Sequence, residues 1–154
     1  TPSGERDCYA AGDRPVVWEI RGLRVAPLIC YDLRFPEAFR DALDQGAEAF
    51  IVIASWPLAR AHHWSALLRA RAIENQAYVV GVNRVGIDPT PLTYPGRSVV
   101  IDPSGQVLAE GDDRELVLSA VLDRDLVARY RTELPFLADR RTTGLGGTFT
   151  PTVS

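Results

Sequence analysis

The 154-residue chain lacks several residue types, and each absence narrows what it can be. It contains no methionine, so we expect that Thr1 is not the start of translation. It contains no lysine either, since all 17 basic residues are arginine. A mechanism that requires a lysine must therefore take it from outside these residues. No apolar run approaches membrane-spanning length and no secretory signal opens the chain, which predicts a protein that does not enter a membrane.

Cysteine and histidine are also sparse and the net charge is small, and each of these features excludes a class of function. The two cysteines, Cys8 and Cys30, lie in dissimilar settings and do not form a disulfide framework, so we expect a cytoplasmic location. A net charge of -3 with interspersed signs predicts no nucleic-acid partner. His62 and His63 are adjacent and have no Cys, His or Asp cluster at ligand spacing around them. We therefore predict no metal site.

Strand and helix patterns alternate early in the chain, and hairpins follow. Strands are predicted at 16–20, 23–30, 47–55, 78–85, 98–101, 107–110 and 116–122, and helices at 36–45, 63–76 and 123–133. Pro27 inside the second strand indicates a bulge or an edge segment. This order predicts an α/β fold with a mixed sheet and helices on one face. We expect one domain over residues 1–141, and over 142–154 either a flexible tail or an arm that packs on a partner subunit.

Cys30 is the leading candidate for chemistry. It ends an apolar strand directly before a tight turn and a helix that begins at Pro36. A thiol there is held rigidly, and backbone N–H groups of the turn can face a developing oxyanion. The alternative is a buried structural cysteine, which is the more common situation for a free cysteine when position alone is considered.

The sequence around Cys30 favours the catalytic interpretation. Residues 29–37 read ICYDLRFPE and resemble the nucleophile motif of the nitrilase superfamily of carbon–nitrogen hydrolases. Residues 69–78 (RARAIENQAY) and 98–105 (SVVIDPSG) resemble two further segments of that superfamily, in the same order. The resemblance covers about residues 5–140. It implies part of a four-layer α-β-β-α sandwich and a homo-oligomer, a dimer or larger.

Three shorter segments are most similar to the ω-amidase branch: residues 54–57 (ASWP), 78–86 (YVVGVNRVG) and 135–139 (PFLAD). Enzymes of that branch remove the terminal amide from 2-oxo acids such as 2-oxoglutaramate. The resemblance thus implies an amidase that converts a small-molecule carboxamide to carboxylate and ammonia through a cysteine thioester. The alternatives are a nitrilase, an N-carbamoyl amino acid hydrolase or a deaminated-glutathione amidase, or a catalytically inactive scaffold.

The resemblance also implies roles for individual residues. The family uses a Glu–Lys–Cys triad assisted by a second glutamate, without metal or organic cofactor. Cys30 matches the nucleophile, Glu5 the second glutamate, and the Tyr31 backbone N–H the oxyanion donor. The lysine and the base glutamate would precede Thr1, so we expect the chain to be inactive alone.

Two further residues are candidates for contact with substrate. Trp56 follows an apolar strand that ends beside Cys30, so it is expected to wall the pocket. Arg34 either meets a substrate carboxylate or pairs with Asp32 to order the turn. Arg69, Arg71 and Glu74 lie three to five positions apart on one helix and could pair with each other.

Overall fold

A mixed α/β sheet forms the centre of the computed structural model, which describes residues 8–10, 12–90 and 92–141. Six strands lie in the order β1-β2-β3-β4-β7-β8, and β5 and β6 form a separate two-stranded sheet. The strands are β1 Trp18–Ile20, β2 Leu23–Ile29, β3 Ala49–Ala54, β4 Tyr78–Asn83, β5 Val85–Ile87, β6 Thr93–Pro95, β7 Val99–Ile101 and β8 Val107–Glu110. Strands β2, β3 and β4 are parallel, and the other pairings are antiparallel. The predicted mixed sheet is confirmed; the predicted tail, 142–154, lies outside the described residues.

Three α-helices and three 3-10 turns accompany the strands in the described part of the chain, and the last helix and the last turn follow the final strand. The helices are α1 Pro36–Asp44, α2 Ala61–Asn75 and α3 Arg124–Glu133; the turns are Cys30–Arg34, Leu58–Arg60 and Phe136–Asp139. Pro36 occupies the first turn of α1, where its missing N–H costs no helical hydrogen bond. At the start of α3 the Asp123 carboxylate accepts a hydrogen bond from Asp125 N at 2.9 Å. Both predicted helix starts are thus confirmed, whereas α2 begins two residues earlier than predicted. Among the described residues, no helix is both long and apolar enough to cross a lipid bilayer.

The main core lies between the sheet and helices α1 and α2. Every second strand residue points to this side, because strand side chains alternate between faces. Phe39 of α1 meets Phe50 of β3 edge-to-face with ring centroids 5.0 Å apart. The α2 residues Trp64 and Leu68 are fully buried in the same cluster.

The expectation that all helices lie on one face is wrong for α3. Its Val127 packs in a second cluster with Leu23, Val25, Ala49 and Tyr78. These strand residues alternate with those of the main core, so α3 covers the opposite face of the sheet. The sequence pattern shows only that α3 has an apolar stripe and leaves open which face the stripe covers. The path of the chain between β8 and α3 decides which face of the sheet α3 covers.

The same opposite face carries an apolar row near the carboxyl ends of the parallel strands. Ile29, Ile53 and Val82 are adjacent in the strand register and are exposed in the described structure. They differ in this from Leu23 and Val25 at the other end of β2, which are buried beside α3. Half of this face is therefore covered by α3, and the half beside Cys30 presents apolar side chains to the outside.

The strand predicted at 116–122 is also wrong. This segment carries apolar residues but pairs with no strand of the described structure. Val117 is 92% and Val121 is 87% exposed. A β-strand requires a neighbouring backbone as well as β-branched residues. The edge strand β8 has already ended at Glu110.

Two local predictions in the sheet are confirmed. Pro27 lies beyond Val25, the last β2 residue paired with β1, so β2 has only β3 beside it there. The predicted hairpin is formed by β7 and β8. Asp102 builds its turn: its Oδ1 accepts hydrogen bonds from Ser104 N at 2.8 Å and Gln106 N at 2.9 Å.

Gly81 of β4 has no room for a side chain. A Cβ atom there would lie 2.5 Å from Leu68 Cδ1 and 2.9 Å from Trp64 Cζ2, both fully buried. We predict that Gly81→Ala lowers the free energy of unfolding by about 1–3 kcal/mol, as expected for overpacking. Gly111→Ala is the matched control, because its Cβ would meet Leu116 at an ordinary 3.4 Å. Urea denaturation of both variants tests this, and equal stabilities would contradict it.

Candidate active site

The parallel strands bring the candidate residues to one edge of the sheet. In the register, Ile29 of β2 pairs with Ile53 of β3, and Ile53 pairs with Val82 of β4. Cys30 directly follows β2, Trp56 follows β3 by two residues, and Asn83 ends β4. The carboxyl ends of parallel strands meet at one edge, which is where open α/β sheets place their ligands.

Cys30 occupies the first position of the 3-10 turn Cys30–Arg34 (the nucleophile turn). Its thiol is free and half-buried, and its backbone φ is +42°, in the left-handed region. Non-glycine residues with this conformation cluster at functional sites, where the surrounding structure holds them. Cys30 lies at the junction of β2 and this turn, where it packs partly against the main core.

Two hydrogen bonds that Asp32 accepts close the nucleophile turn. Its carboxylate Oδ2 accepts a hydrogen bond from Ile29 N at 2.9 Å, and its carbonyl oxygen accepts one from Phe35 N at 2.9 Å. The first N–H groups of a helical turn have no carbonyl partner within it. Tyr31 is the second residue of the turn, so its N–H belongs to this group.

Arg34 and Trp56, the two predicted substrate-binding residues, are in contact with each other. The Arg34 guanidinium carbon lies 4.7 Å from the Trp56 ring centroid and 6.0 Å from that of Tyr31. Trp56 is only 3% exposed, and its Nε1 donates a hydrogen bond to Arg60 O at 2.7 Å. The buried Trp56 ring therefore packs against the Arg34 guanidinium and supports it. The expected ion pair of Arg34 with Asp32 is wrong, because Asp32 binds Ile29 N instead.

Positive charge surrounds this edge of the sheet. The pKa of His63 is lowered from its ordinary value, first by loss of hydration and then by the positive charges of His62, Arg34 and Arg60. His63 Nδ1 is buried and has no hydrogen-bond partner among the described residues. The Arg34 and Arg60 charges can thus attract an anionic ligand to the same edge as Cys30.

Asn83 is a residue of this site that the sequence analysis missed. Its Oδ1 accepts a hydrogen bond from Trp56 N at 2.7 Å, and its Nδ2 donates to Trp56 O at 3.1 Å and Gly96 O at 2.8 Å. The side chain therefore fixes the loop after β3 to the loop after β6. An asparagine that ends an otherwise apolar buried strand was the available signal, because a buried amide needs partners.

Arg71 was also missed as a site residue. We expected it only to pair along its helix, and that pairing with Glu74 is confirmed by a 2.9 Å contact. The structure adds a hydrogen bond from Arg71 Nη2 to Leu33 O, also at 2.9 Å, which reaches the nucleophile turn. Arg69, by contrast, is exposed.

Of the two remaining candidates, Glu5 lies outside the described residues. Cys8 is an exposed free cysteine. Within the ranges 8–10, 12–90 and 92–141, no group of three or more His, Cys, Asp or Glu side chains could hold a metal ion. A cavity of about 510 Å³ is lined by Leu58, Tyr94, Arg97 and other residues around β5 and β6, and the predicted site residues do not line it.

Known proteins resemble this chain in sequence and in structure. The sequence profile of the carbon–nitrogen hydrolase family matches residues 2–132. A 2-oxoglutaramate amidase of Paenarthrobacter nicotinovorans is 42% identical over 142 residues, which are 90% of this chain and 48% of that protein. The chain thus spans about half the length of this relative.

Two solved structures extend the comparison. XC1258 of Xanthomonas campestris, a CN-hydrolase superfamily protein with an arsenic adduct in its active site, matches with a TM-score of 0.84 and 39% identity. The match covers 92% of this chain and 56% of that one. The amidase of Nesterenkonia sp. AN1, of the nitrilase superfamily, matches with a TM-score of 0.64 and 32% identity, over 68% of this chain and 40% of that one. Its active-site cysteine carries the acetamide moiety of fluoroacetamide. The predicted nitrilase-type α/β fold is confirmed.

Replacing Asn83 tests whether it holds the loops of the site. We predict that Asn83→Ala lowers the free energy of unfolding by about 2–5 kcal/mol, because each buried polar group left unpaired costs about 1–3 kcal/mol. Gln106→Ala serves as the control, since the Gln106 side chain is exposed. Chemical denaturation measures both changes. A loss for Asn83→Ala no larger than that of the control would contradict the assignment.

Proposed function

Because this chain belongs to the carbon–nitrogen hydrolase family, we propose that the protein is an amidase that hydrolyses small 2-oxo acid amides such as 2-oxoglutaramate. The observation that carries the proposal is the half-buried, free Cys30 thiol in a strained turn at the carboxyl ends of three parallel strands. A relative named 2-oxoglutaramate amidase that is 42% identical over 90% of the chain supports the substrate class.

The reaction proceeds through a thioester on Cys30. The Cys30 sulfur loses its proton to a base as it attacks the amide carbonyl carbon, and the Tyr31 N–H stabilises the resulting oxyanion. The C–N bond breaks, the nitrogen takes up a proton, and ammonia leaves. Water then adds to the thioester carbonyl, releasing the carboxylate and restoring the thiol.

The family resemblance matches no residue of this sequence to the base, and the lysine that assists the oxyanion is not among its residues either, since the sequence contains no lysine. Glu5 is proposed as the second glutamate, which assists the triad. These assignments rest on the register of the family motif around Cys30. No metal and no organic cofactor enters the proposed reaction, because the thiol, the base and the N–H donors supply each step.

Arg34 binds the carboxylate of the substrate. It lies four residues after Cys30 and stacks on the buried Trp56 ring, which limits its motion. A planar guanidinium forms two parallel hydrogen bonds with a carboxylate. The pKa of His63 is lowered first by loss of hydration and then by nearby positive charges, of which those of Arg34 and Arg60 act on an anionic substrate as well. Arg34 thus selects amides that carry an acid group at the far end.

The cellular setting follows the same resemblance. We propose a cytoplasmic homo-oligomer, a dimer or larger, with no membrane or nucleic-acid partner. The free, unpaired state of Cys8 and Cys30 supports a reducing compartment. The exposed apolar row of Ile29, Ile53 and Val82 supports burial of that face in the complete protein.

Removing the thiol tests the nucleophile. We predict that Cys30→Ala in the full-length protein abolishes ammonia release from 2-oxoglutaramate, because the variant lacks the sulfur that attacks the amide carbonyl. Cys8→Ala is the matched control and keeps wild-type turnover, since Cys8 is exposed and has no motif support. Turnover by Cys30→Ala above the uncatalysed rate would refute the mechanism, as would failure of the wild-type protein to hydrolyse any amide.

Neutralising Arg34 tests substrate selection. We predict that Arg34→Gln raises KM for 2-oxoglutaramate about tenfold or more, since a charge-assisted hydrogen bond contributes about 1.5–3 kcal/mol. The same variant should hydrolyse an uncharged aliphatic amide at the wild-type rate, which serves as the internal control. Steady-state kinetics on both substrates decide the question. Equal losses on both substrates would show that Arg34 supports the turn and does not recognise the carboxylate.

A further inference from the structure

We infer that Arg71 is a positioning residue that sets the geometry of the Cys30 turn from the neighbouring helix. The inference rests on the proposed function in one respect, namely that Cys30 is the nucleophile. Arg71 lies on α2, 41 positions along the chain from Cys30, and touches no reacting atom in the proposed mechanism. Its contribution would be made through the backbone of the nucleophile turn.

The contacts of Arg71 are those of a buried, fixed guanidinium. Its side chain is 6% exposed, Nη2 donates a hydrogen bond to Leu33 O at 2.9 Å, and Nη1 contacts Glu74 Oε1 at 2.9 Å. The guanidinium carbon lies 5.1 Å from the Phe39 ring centroid. These three contacts restrict the orientation of the planar guanidinium, whose buried Nε has no hydrogen-bond partner among the described residues. The Leu33 carbonyl is held accordingly.

Glu74 connects this contact to helix α1. Arg40 of α1 donates a hydrogen bond from Nη1 to Glu74 O at 2.8 Å, and its Nη2 lies 3.8 Å from Glu74 Oε2. Arg40, Glu74 and Arg71 therefore join α1, α2 and the nucleophile turn. The pKa of Arg40 is lowered, first by burial, which is partly offset by the Glu74 charge. Arg71 is thus supported from both helices that pack on the main core.

The nucleophile turn requires support because Cys30 adopts a left-handed backbone conformation. Asp32 fixes the upstream end of the turn through Ile29 N, and Arg71 fixes the downstream end through Leu33 O. Loss of the downstream contact would let the turn relax toward ordinary backbone angles. Such a relaxation moves the Cys30 sulfur and the Tyr31 N–H together, and both must face the same carbonyl group.

A purely structural role would predict a different result. A buried arginine that only holds two helices together contributes to stability, and its loss lowers the folded fraction without changing the folded molecules. A positioning role changes the reactivity of Cys30 in molecules that remain folded. The two roles are separated by measuring thiol reactivity and turnover per folded molecule, beside the melting temperature.

The experiment compares Arg71→Met and Arg71→Lys with Arg69→Met in the full-length protein. Arg69→Met is matched in residue type, helix and substitution, but Arg69 is exposed. Arg71→Lys keeps the positive charge and loses the planar fork that reaches two partners. We measure kcat and KM on 2-oxoglutaramate, the melting temperature, and the rate of Cys30 alkylation by iodoacetamide from about pH 6 to about pH 9, the range in which thiols titrate. Peptide mass spectrometry follows Cys30, with the exposed Cys8 as internal reference.

The expected result is a loss in kcat of about 10²-fold for Arg71→Met, as for a misplaced reacting group, with KM within about twofold. The pH profile of Cys30 alkylation should change while that of Cys8 does not. Arg71→Lys should recover the melting temperature more fully than kcat. Unchanged kcat or unchanged Cys30 alkylation per folded molecule, relative to Arg69→Met, overturns the inference. If the wild-type protein hydrolyses no amide, the proposed function fails and the alkylation profile alone decides the role of Arg71.

Discussion

The left-handed backbone at Cys30 is the constraint around which this part of the molecule is organised. A non-glycine residue in that region costs about 1–3 kcal/mol and persists only where its surroundings determine it. Here the surroundings are β2 on one side and a 3-10 turn on the other, closed by Asp32 at one end and held by Arg71 at the other. The fully buried Leu33 side chain anchors the middle of the turn in the main core. The strain is thereby offset by contacts that also fix the direction of the thiol.

The parallel strands also bring Trp56, Asn83 and Arg34 together beside this turn. Trp56 and Asn83 reach the same edge because they follow β3 and β4, and Asn83 holds Trp56 by its backbone. Arg34 then rests on the Trp56 ring. Arg34 and Arg60 place positive charge near this edge, and such charge acts on an anionic ligand over a distance comparable to the Debye length of about 8 Å at physiological salt. The proposed selection of an acid group and the proposed placement of the nucleophile therefore depend on one set of strand ends.

The sequence predicts those parts of the fold that local residues determine. Pro36 predicts the start of α1, Asp123 the start of α3, and the DPSG turn the β7–β8 hairpin, because each feature depends on neighbours within a few positions. The strand predicted at 116–122 is wrong because a strand needs a neighbouring backbone, and this segment pairs with no strand of the described structure. The prediction of the face that α3 covers is wrong for a similar reason. Apolar periodicity shows that a helix has an apolar stripe but does not show which surface the stripe packs against.

The candidate site shows the same limit. Cys30 is identified by a motif that surrounds it, whereas Asn83 and Arg71 act across 27 and 38 positions of sequence, respectively. Neither residue carries a local signal of its partner. Their types are informative only once burial is known, because a buried amide or guanidinium must be hydrogen-bonded. Glu5 lies outside the described residues, so its role stays a prediction.

The account depends most on Cys30 forming a thioester during turnover. The direct measurement is acid quenching of the full-length protein while it consumes 2-oxoglutaramate, followed by mass spectrometry of the peptide that contains Cys30. The account predicts an added mass equal to the product acid minus water, located on Cys30 and removed by hydroxylamine. The contradicting result is steady turnover in which the Cys30 peptide is unmodified at every quench time, together with no accumulation of the thioester in a variant whose catalytic base is weakened.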